Sequence, residues 1–119
     1  MLTKSIFSIA VFFLAVLAVQ ETVTAAASLA PPKAEVIETQ SGAGQNGKDK
    51  ATFEFGNVPP GGLTGEITVE ANGTIQTFPY SLNANGTVTV EMDAGTLSDP
   101  NASFSITGQG YGLISSGTF

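Results

Sequence analysis

Apolar and polar residues alternate with a period of two along much of the chain after residue 50. Successive side chains of a strand point to opposite faces of a sheet, so this alternation predicts strands with one buried face and one wet face. The predicted buried set is Ala51, Phe53, Phe55, Ile67, Val69, Ala71, Val88, Val90, Met92, Phe104 and Ile106. No stretch after residue 25 has the apolar spacing of a helix without an interrupting glycine or proline.

Residues typical of turns separate these runs. Asn72-Gly73 predicts a type I′ hairpin because both positions of that turn need a positive φ. Asn83–Gly86 predicts the next reversal of an antiparallel meander, and residues 93–101 predict a longer connection. Six or seven short strands with frequent turns predict an all-β domain, a small antiparallel β-sandwich that is Ig-like or jelly-roll-like. A small closed barrel is the alternative.

The segment 74–82 departs from simple alternation. Its apolar parity changes between Ile75 and Phe78, which predicts a β-bulge near Gln76 and Thr77. Pro79 has no N–H to donate to a neighbouring strand, so we expect this strand at a sheet edge or a break in its pairing.

The N-terminal segment has the three parts of a secretory signal peptide. Lys4 supplies the positive charge, residues 6–19 are apolar, and cleavage after Ala25 fits the small-residue pattern. An uncleaved anchor is the alternative, but this apolar run reaches only ~21 Å as a helix, short of the ~30 Å hydrocarbon core. We expect residues 1–25 to be removed, no membrane span afterwards, and a secreted, extracellular or cell-surface location.

Residues 26–50 then read as an extended leader with a flexible Gly-rich linker, and residues 51–119 as the sandwich domain. The segment 34–38 is a candidate strand that could join that domain. Every lysine after residue 25 lies in this leader, so residues 51–119 carry acidic groups and no base.

Composition excludes several kinds of chemistry. The chain has no histidine, cysteine or arginine and a formal net charge of −6. It therefore offers no thiol or imidazole nucleophile pair, no zinc site of the usual ligands, no disulfide and no basic groove for nucleic acid. A carboxylate pair could still hydrolyse a glycoside, the candidates being Glu54, Glu66, Glu70, Glu91, Asp93 and Asp99. Every glutamate among them lies on the polar side of its strand, and so short a chain leaves no room for a deep cleft, so we expect no catalytic residues and no enzyme activity. We also expect no cofactor and no metal site.

Asn-x-Ser/Thr sequons begin at Asn72, Asn85 and Asn101, all in predicted turns where a glycan could point into solvent. Turn chemistry alone also explains Asn-Gly-Thr, so the sequence leaves glycosylation open. The loop that contains Asp93, Asp99 and Asn101 offers oxygen ligands for Ca²⁺, although its spacing matches no EF-hand and the same residues initiate turns.

Other surface features have two interpretations each. The rows Glu66-Thr68-Glu70 and Thr87-Thr89-Glu91 should face solvent, as a ligand surface or simply as soluble strand positions. Tyr111 is a candidate ligand contact, an aromatic platform for a sugar ring. The alternative is that Tyr111 and Leu113 complete the core of a last strand whose glycines mark a bulge.

The run from Phe53 to Gly61, followed by Ile67-Thr68-Val69, resembles the strand–PPG–strand signature of extracellular sandwich modules of the collagen-adhesin B type. In those modules an aromatic residue usually follows soon after the glycine, whereas here residues 62–65 intervene. Residues 51–119 also lack the lysine that an isopeptide crosslink needs. The likeness therefore does not assign the chain to that family.

By elimination, the sequence predicts a non-catalytic extracellular component with a structural or adhesive role. Its expected partners are other extracellular proteins, glycans or further copies of itself. One alternative is a self-assembling fibre subunit that uses segment 34–38 for strand exchange. Another is a carbohydrate-binding or host-directed effector module.

Overall fold

The computed structural model describes residues 30–119, of which residues 31–119 form one compact unit. The strands are β1 (Lys33–Gln40), β2 (Asp49–Gly56), β3 (Leu63–Ala71), β4 (Thr74–Leu82), β5 (Gly86–Met92), β6 (Ser103–Gly108) and β7 (Gly112–Thr118). Short 3-10 turns lie at Gln45–Gly47 and Thr96–Ser98. The predicted signal peptide and its cleavage site lie outside the described residues. Between residues 30 and 119, no helix has the length and hydrophobicity needed to cross a membrane.

The strands form two antiparallel sheets. Sheet A has the order β1-β2-β5 and sheet B the order β4-β3-β6-β7. This confirms the predicted all-β antiparallel sandwich. With β1 to β7 taken as strands A to G, the order differs from a constant-type immunoglobulin domain in one respect: β4 pairs with β3 instead of β5. Apart from this one pairing, the strand order is that of an Ig-like sandwich.

The core lies between the sheets and consists of the alternating residues that the sequence predicts. Phe53, Ile67 and Ile106 are fully buried. The ring centroids of Phe53 and Phe104 are 5.2 Å apart, which joins the middle of sheet A to the middle of sheet B. Each large apolar side chain buried in this way contributes about 1.5–3 kcal/mol, so these strands are held mainly by their inner faces.

The expected meander is wrong. Only β1–β2, β3–β4 and β6–β7 are hairpins among the described strands, whereas the connections after β2, β4 and β5 cross between the sheets. The residues at 83–85 thus reverse the chain without making a hairpin. A turn signal fixes where a strand ends, but burial of the inner faces decides which strand becomes its neighbour.

The expected bulge at Gln76 and Thr77 is also wrong, because β3 and β4 pair in unbroken register along their whole length. Ile75 points outward and is 63% exposed, while Gln76 takes the inward position. The Gln76 amide accepts a hydrogen bond from the N–H of Asp93 (2.8 Å) and donates one to the Thr96 hydroxyl (3.1 Å). A polar residue at an inner position therefore caps the end of the core without a bulge. The prediction of an edge strand containing Pro79 is confirmed.

Register shifts occur at two other places. In β1 the shift lies between Val36 and Glu38, and the intervening Ile37 is 50% exposed. Between β6 and β7 it lies beside Ile106 and Thr107, where Ile114 is the extra residue. Ile114 packs against the core and Leu113 points away from it.

The loops gather at the two ends of the sandwich. One end, here called the Asn72 end, contains the connections 41–48, 72–73 and 93–102. The opposite end, the Tyr111 end, contains the connections 57–62, 83–85 and 109–111. This division follows from the antiparallel strand directions and separates the candidate site residues into two groups.

Candidate functional site

The outer face of sheet B is dominated by hydroxyl groups, and we call it the hydroxyl face. Residues directly opposite each other in antiparallel strands share a face, so the pairing of β4, β3, β6 and β7 defines its members. The hydroxyl-bearing members are Thr64, Thr68, Thr77, Ser81, Ser103, Ser105, Thr107, Ser116 and Thr118. All of them are exposed or half-buried, and each can donate and accept hydrogen bonds.

One row of this face crosses all four strands without interruption. Thr77 lies opposite Thr68, Thr68 opposite Ser105, and Ser105 opposite Ser116. Neighbours in such a row are about 4.5–5.5 Å apart at their Cα atoms. The row therefore presents a regular line of alternative donors and acceptors to any partner that lies across the strands.

The hydroxyl face carries little charge. Glu66 and Glu70 are its only charged side chains among the described residues, and they flank Thr68 on β3. Exposed apolar residues lie at its margins, with Ile75 on β4 and Leu113 on β7 each 63% exposed. A partner that covers this face has few charges to desolvate, which is a property of the central part of protein interfaces.

A close backbone approach behind the hydroxyl face holds β3, β4 and β6 together. The Tyr80 hydroxyl reaches across Gly65 and donates a 2.8 Å hydrogen bond to the carbonyl oxygen of Thr107. A Cβ on residue 65 would overlap that carbonyl oxygen, so this position requires glycine. Burial raises the pKa of the Tyr80 phenol above its ordinary value. The neutral hydroxyl is therefore the form that the fold stabilises.

Tyr111 lies in the turn between β6 and β7, at one corner of this face. Two hydrogen bonds between Gln109 and Thr64 fix this turn to β3. The N–H of Gln109 donates to the carbonyl oxygen of Thr64 (2.8 Å), and the Thr64 hydroxyl donates to the side-chain oxygen of Gln109 (3.0 Å). Tyr111 is 48% exposed and Leu113 63% exposed, so the expectation that they complete the core is wrong. The bulge at Ile114 turns Leu113 outward, and Ile114 and Phe119 pack on the core instead.

The three sequon asparagines are all exposed, at both ends of the sandwich. Asn72 and Asn101 lie at the Asn72 end and Asn85 at the Tyr111 end. Asn72 (φ 53°) and Gly73 (φ 73°) form the predicted left-handed turn, and the Asn72 amide donates to the Gly95 carbonyl (3.3 Å). The Asn85 side-chain oxygen accepts from the N–H of Val58 (2.9 Å). Within residues 30–119 the Asn101 side chain makes no hydrogen bond.

Asp99 connects two of these sequons. One of its carboxylate oxygens accepts the N–H of Asn72 (2.7 Å) and the other accepts the N–H of Asn101 (2.9 Å). These two bonds, the one from Asn72 first, hold the pKa of the Asp99 carboxyl below its ordinary value. Because one oxygen binds the β3–β4 turn and the other binds its own loop, Asp99 braces these two connections against each other. Across the described part of the chain, no three acidic side chains come together in a way that could hold a metal ion.

The outer face of sheet A is charged and differs from the hydroxyl face. Its charged members are Lys33, Glu35, Glu38, Lys50, Glu54 and Glu91. Its Tyr111 end forms an open cleft of about 590 Å³, in which Glu35 lies directly opposite Glu54. Both carboxylates are exposed to solvent. The structure thus pairs one sequence candidate, Glu54, with a glutamate that sequence reasoning missed.

Asp49 is a second residue that sequence reasoning missed, since it stood in the expected linker. It begins β2, is 3% exposed, and accepts the N–H groups of Gly42 and Leu97, both at 2.8 Å. The carboxylate therefore connects the β1–β2 loop to the β5–β6 loop. An isolated aspartate in a Gly-rich stretch gives no sequence signal for this role.

Segment 34–38, the candidate for strand exchange, lies within β1 and pairs with β2 of its own sheet. Comparisons with known protein families, with curated proteins and with solved structures found no match to this chain.

Proposed function

We propose that the protein is a secreted, non-catalytic β-sandwich that serves as an adhesive or structural component at a cell surface or in an extracellular matrix. The observation that supports this function is the hydroxyl face, an extended and weakly charged surface on a sheet that nothing else in the described chain covers. Such a surface can form many hydrogen bonds, and each hydroxyl costs less to desolvate than a charged group does.

The absence of histidine and cysteine supports the non-catalytic part of the proposal. Glu35 and Glu54 lie opposite each other on an open face, and a glycosidase needs one carboxyl group held protonated by burial. Incubation with soluble glycosides should therefore release no sugar. Release that is lost in Glu54→Gln would contradict this part of the proposal.

Export is tested first, by mass spectrometry of the protein from the organism that produces it. We expect the protein outside the cell with an N-terminus at Ala26. Retention inside the cell with residues 1–25 intact would exclude the proposed location.

Adhesion is tested with surfaces coated with the purified protein and with cells or matrix of the producing organism. Ser105→Lys places a charge in the central row of the hydroxyl face, and we expect it to weaken retention at least about tenfold. The matched control is Thr52→Lys, because Thr52 is also half-buried and outward-facing on a central strand, but in sheet A. No retention by the wild type, or equal loss in both variants, would reject the hydroxyl face as the contact surface.

A carbohydrate-binding role is a second candidate, favoured by the exposure of Tyr111 beside the hydroxyl face. An aromatic ring stacks on a sugar while neighbouring hydroxyls bind its polar edge. Glycan-array screening should then show binding that Tyr111→Ala removes and Tyr111→Phe retains. A wild type that binds no glycan would exclude this candidate.

Among the sequons, we expect Asn101 to be glycosylated most completely in a host with N-glycosylation. Its side chain is exposed and makes no hydrogen bond to the described residues, whereas those of Asn72 and Asn85 are engaged. Enzymatic removal of N-glycans should shift the mass of Asn101→Gln by less than that of Asn72→Gln or Asn85→Gln. Equal shifts would contradict this order.

A further inference from the structure

The two sheets end in four edge strands, namely β1 and β5 of sheet A and β4 and β7 of sheet B. An edge strand offers unpaired N–H and C=O groups to other chains, and a proline, a bulge or a set of charges discourages such pairing. β4 contains Pro79, and β7 has a register shift near its start. β1 has a register shift at Ile37 and carries Lys33, Glu35 and Glu38. β5 has none of these protections.

β5 is regular over its whole length. Its residues from Gly86 to Met92 pair with β2 in unbroken register, and Glu91 is its only charged side chain. Within residues 30–119, no backbone hydrogen bond reaches β5 from any element other than β2. The outward-facing N–H and C=O groups of β5 therefore remain available to another strand.

The same side of the sandwich leaves apolar surface uncovered. Val88 of β5 and Phe78 of β4 pack against the core but are only half-buried. A strand added beside β5 would extend sheet A past the gap between β5 and β4, and it would bury more of the Val88 and Phe78 side chains. The edge thus offers hydrogen bonds and a hydrophobic contribution to the same partner.

We propose that β5 pairs with β5 of a second copy of this chain, antiparallel, about a two-fold axis through Thr89. This register engages all seven strand residues of both copies. It places Glu91 opposite the partner's Thr87 and Val88 opposite the partner's Val90, so no like charges meet and the apolar residues share the inner face. The two three-stranded sheets become one six-stranded sheet, and the contact is isologous. This inference does not depend on the proposed function.

Charge at the axis tests the proposal, because the two copies of residue 89 face each other. Sedimentation equilibrium should show a wild-type mass that rises toward the dimer with concentration, while Thr89→Lys and Thr89→Glu each stay monomeric. An equimolar mixture of these two variants should regain the dimer, since opposite charges then meet. The control is Thr77→Lys, an exposed threonine in the middle of edge strand β4, which should dimerise like the wild type.

Crosslinking provides a second readout that needs no equilibrium measurement. The chain has no cysteine, so Thr89→Cys introduces a single thiol that the two-fold axis places beside its own copy. Mild oxidation should give a covalent dimer with Thr89→Cys and none with Thr77→Cys. The proposal is overturned by a wild type that stays monomeric to about 1 mM. It is also overturned by a dimer that survives Thr89→Lys, or by equal crosslinking at positions 77 and 89.

Discussion

The outer faces of sheets A and B differ although the two sheets share one core. The face of sheet A carries the lysines at positions 33 and 50 among four glutamates, whereas the face of sheet B carries two glutamates among rows of hydroxyls. Exposed charge mostly serves solubility, so sheet A can keep the domain soluble while sheet B presents a surface with little charge. This difference, rather than any single residue, is the basis for proposing sheet B as the contact surface.

The sheets also differ in what surrounds one glycine in each of them. On sheet B, Gly65 is enclosed by the backbone of Thr107 and the hydroxyl of Tyr80, and neither can move without disturbing β6 or β4. On sheet A, the space beside Gly56 is filled by the Lys33 side chain, whose far end is free to move. We therefore expect sheet B to tolerate change at its glycine less well than sheet A.

Alanine at these two glycines gives the largest predicted contrast. Gly65→Ala should cost about 3 kcal/mol or prevent folding, because its Cβ would overlap the Thr107 carbonyl. Gly56→Ala should stay within about 0.5 kcal/mol of the wild type, since its Cβ would lie 2.8 Å from the movable Lys33 Cε. Urea denaturation followed by circular dichroism measures both. Equal losses would show that the sheets do not differ in this respect.

The next largest effect concerns the buried brace of sheet A. Asp49→Ala leaves the N–H groups of Gly42 and Leu97 without their acceptor, and we expect a loss of about 2–3 kcal/mol in the free energy of unfolding. Asp99→Ala removes the same number of bonds from a residue that is less buried than Asp49, so its loss should be smaller. Chemical denaturation compares the two variants. A larger loss in Asp99→Ala would contradict the argument that the more buried carboxylate contributes more to stability.

How far the sequence predicts these features depends on whether they are local. The burial of Phe53 and Val69 follows from strand parity, and the turn at Asn72-Gly73 follows from its need for positive φ. Gln76 shows where prediction from local pattern fails. A polar residue in an apolar series suggests a bulge, but here its partners Asp93 and Thr96 come from a distant loop.

The candidate site was less predictable than the core. Outward threonines can be recognised within one strand, but the row through Thr68 and Ser105 exists only because β3 pairs with β6. The role of Asp49 likewise depends on Gly42 and Leu97, which the fold brings together. The sequence allows Tyr111 and Leu113 to lie in the core or at the surface. The bulge at Ile114, which turns Leu113 outward, cannot be predicted from the sequence pattern.

A moderate effect is expected behind the hydroxyl face. Tyr80→Phe removes the 2.8 Å hydrogen bond to the Thr107 carbonyl and should cost about 1 kcal/mol. Tyr111→Phe is the matched control, because the Tyr111 hydroxyl makes no hydrogen bond to the described residues, and it should leave stability unchanged. Thermal unfolding compares the two. If Tyr80→Phe unfolds at the same temperature as the wild type, the hydrogen bond from Tyr80 to Thr107 contributes nothing to stability.

The smallest effect depends on pH and concerns the Asn72 end. The hydrogen bonds from Asn72 and Asn101 lower the pKa of the folded Asp99 carboxyl relative to the unfolded chain. The stabilisation is therefore fully present above the unfolded value and is lost as the pH falls through the folded one. Asp99→Asn should melt below the wild type near neutrality, and this difference should shrink as the pH falls through the lowered pKa of Asp99. The control is Asp93→Asn in the same loop, whose carboxylate accepts no hydrogen bond from the described residues. A melting difference that persists unchanged in acid would show that Asp99 does not brace the β3–β4 turn through its charge.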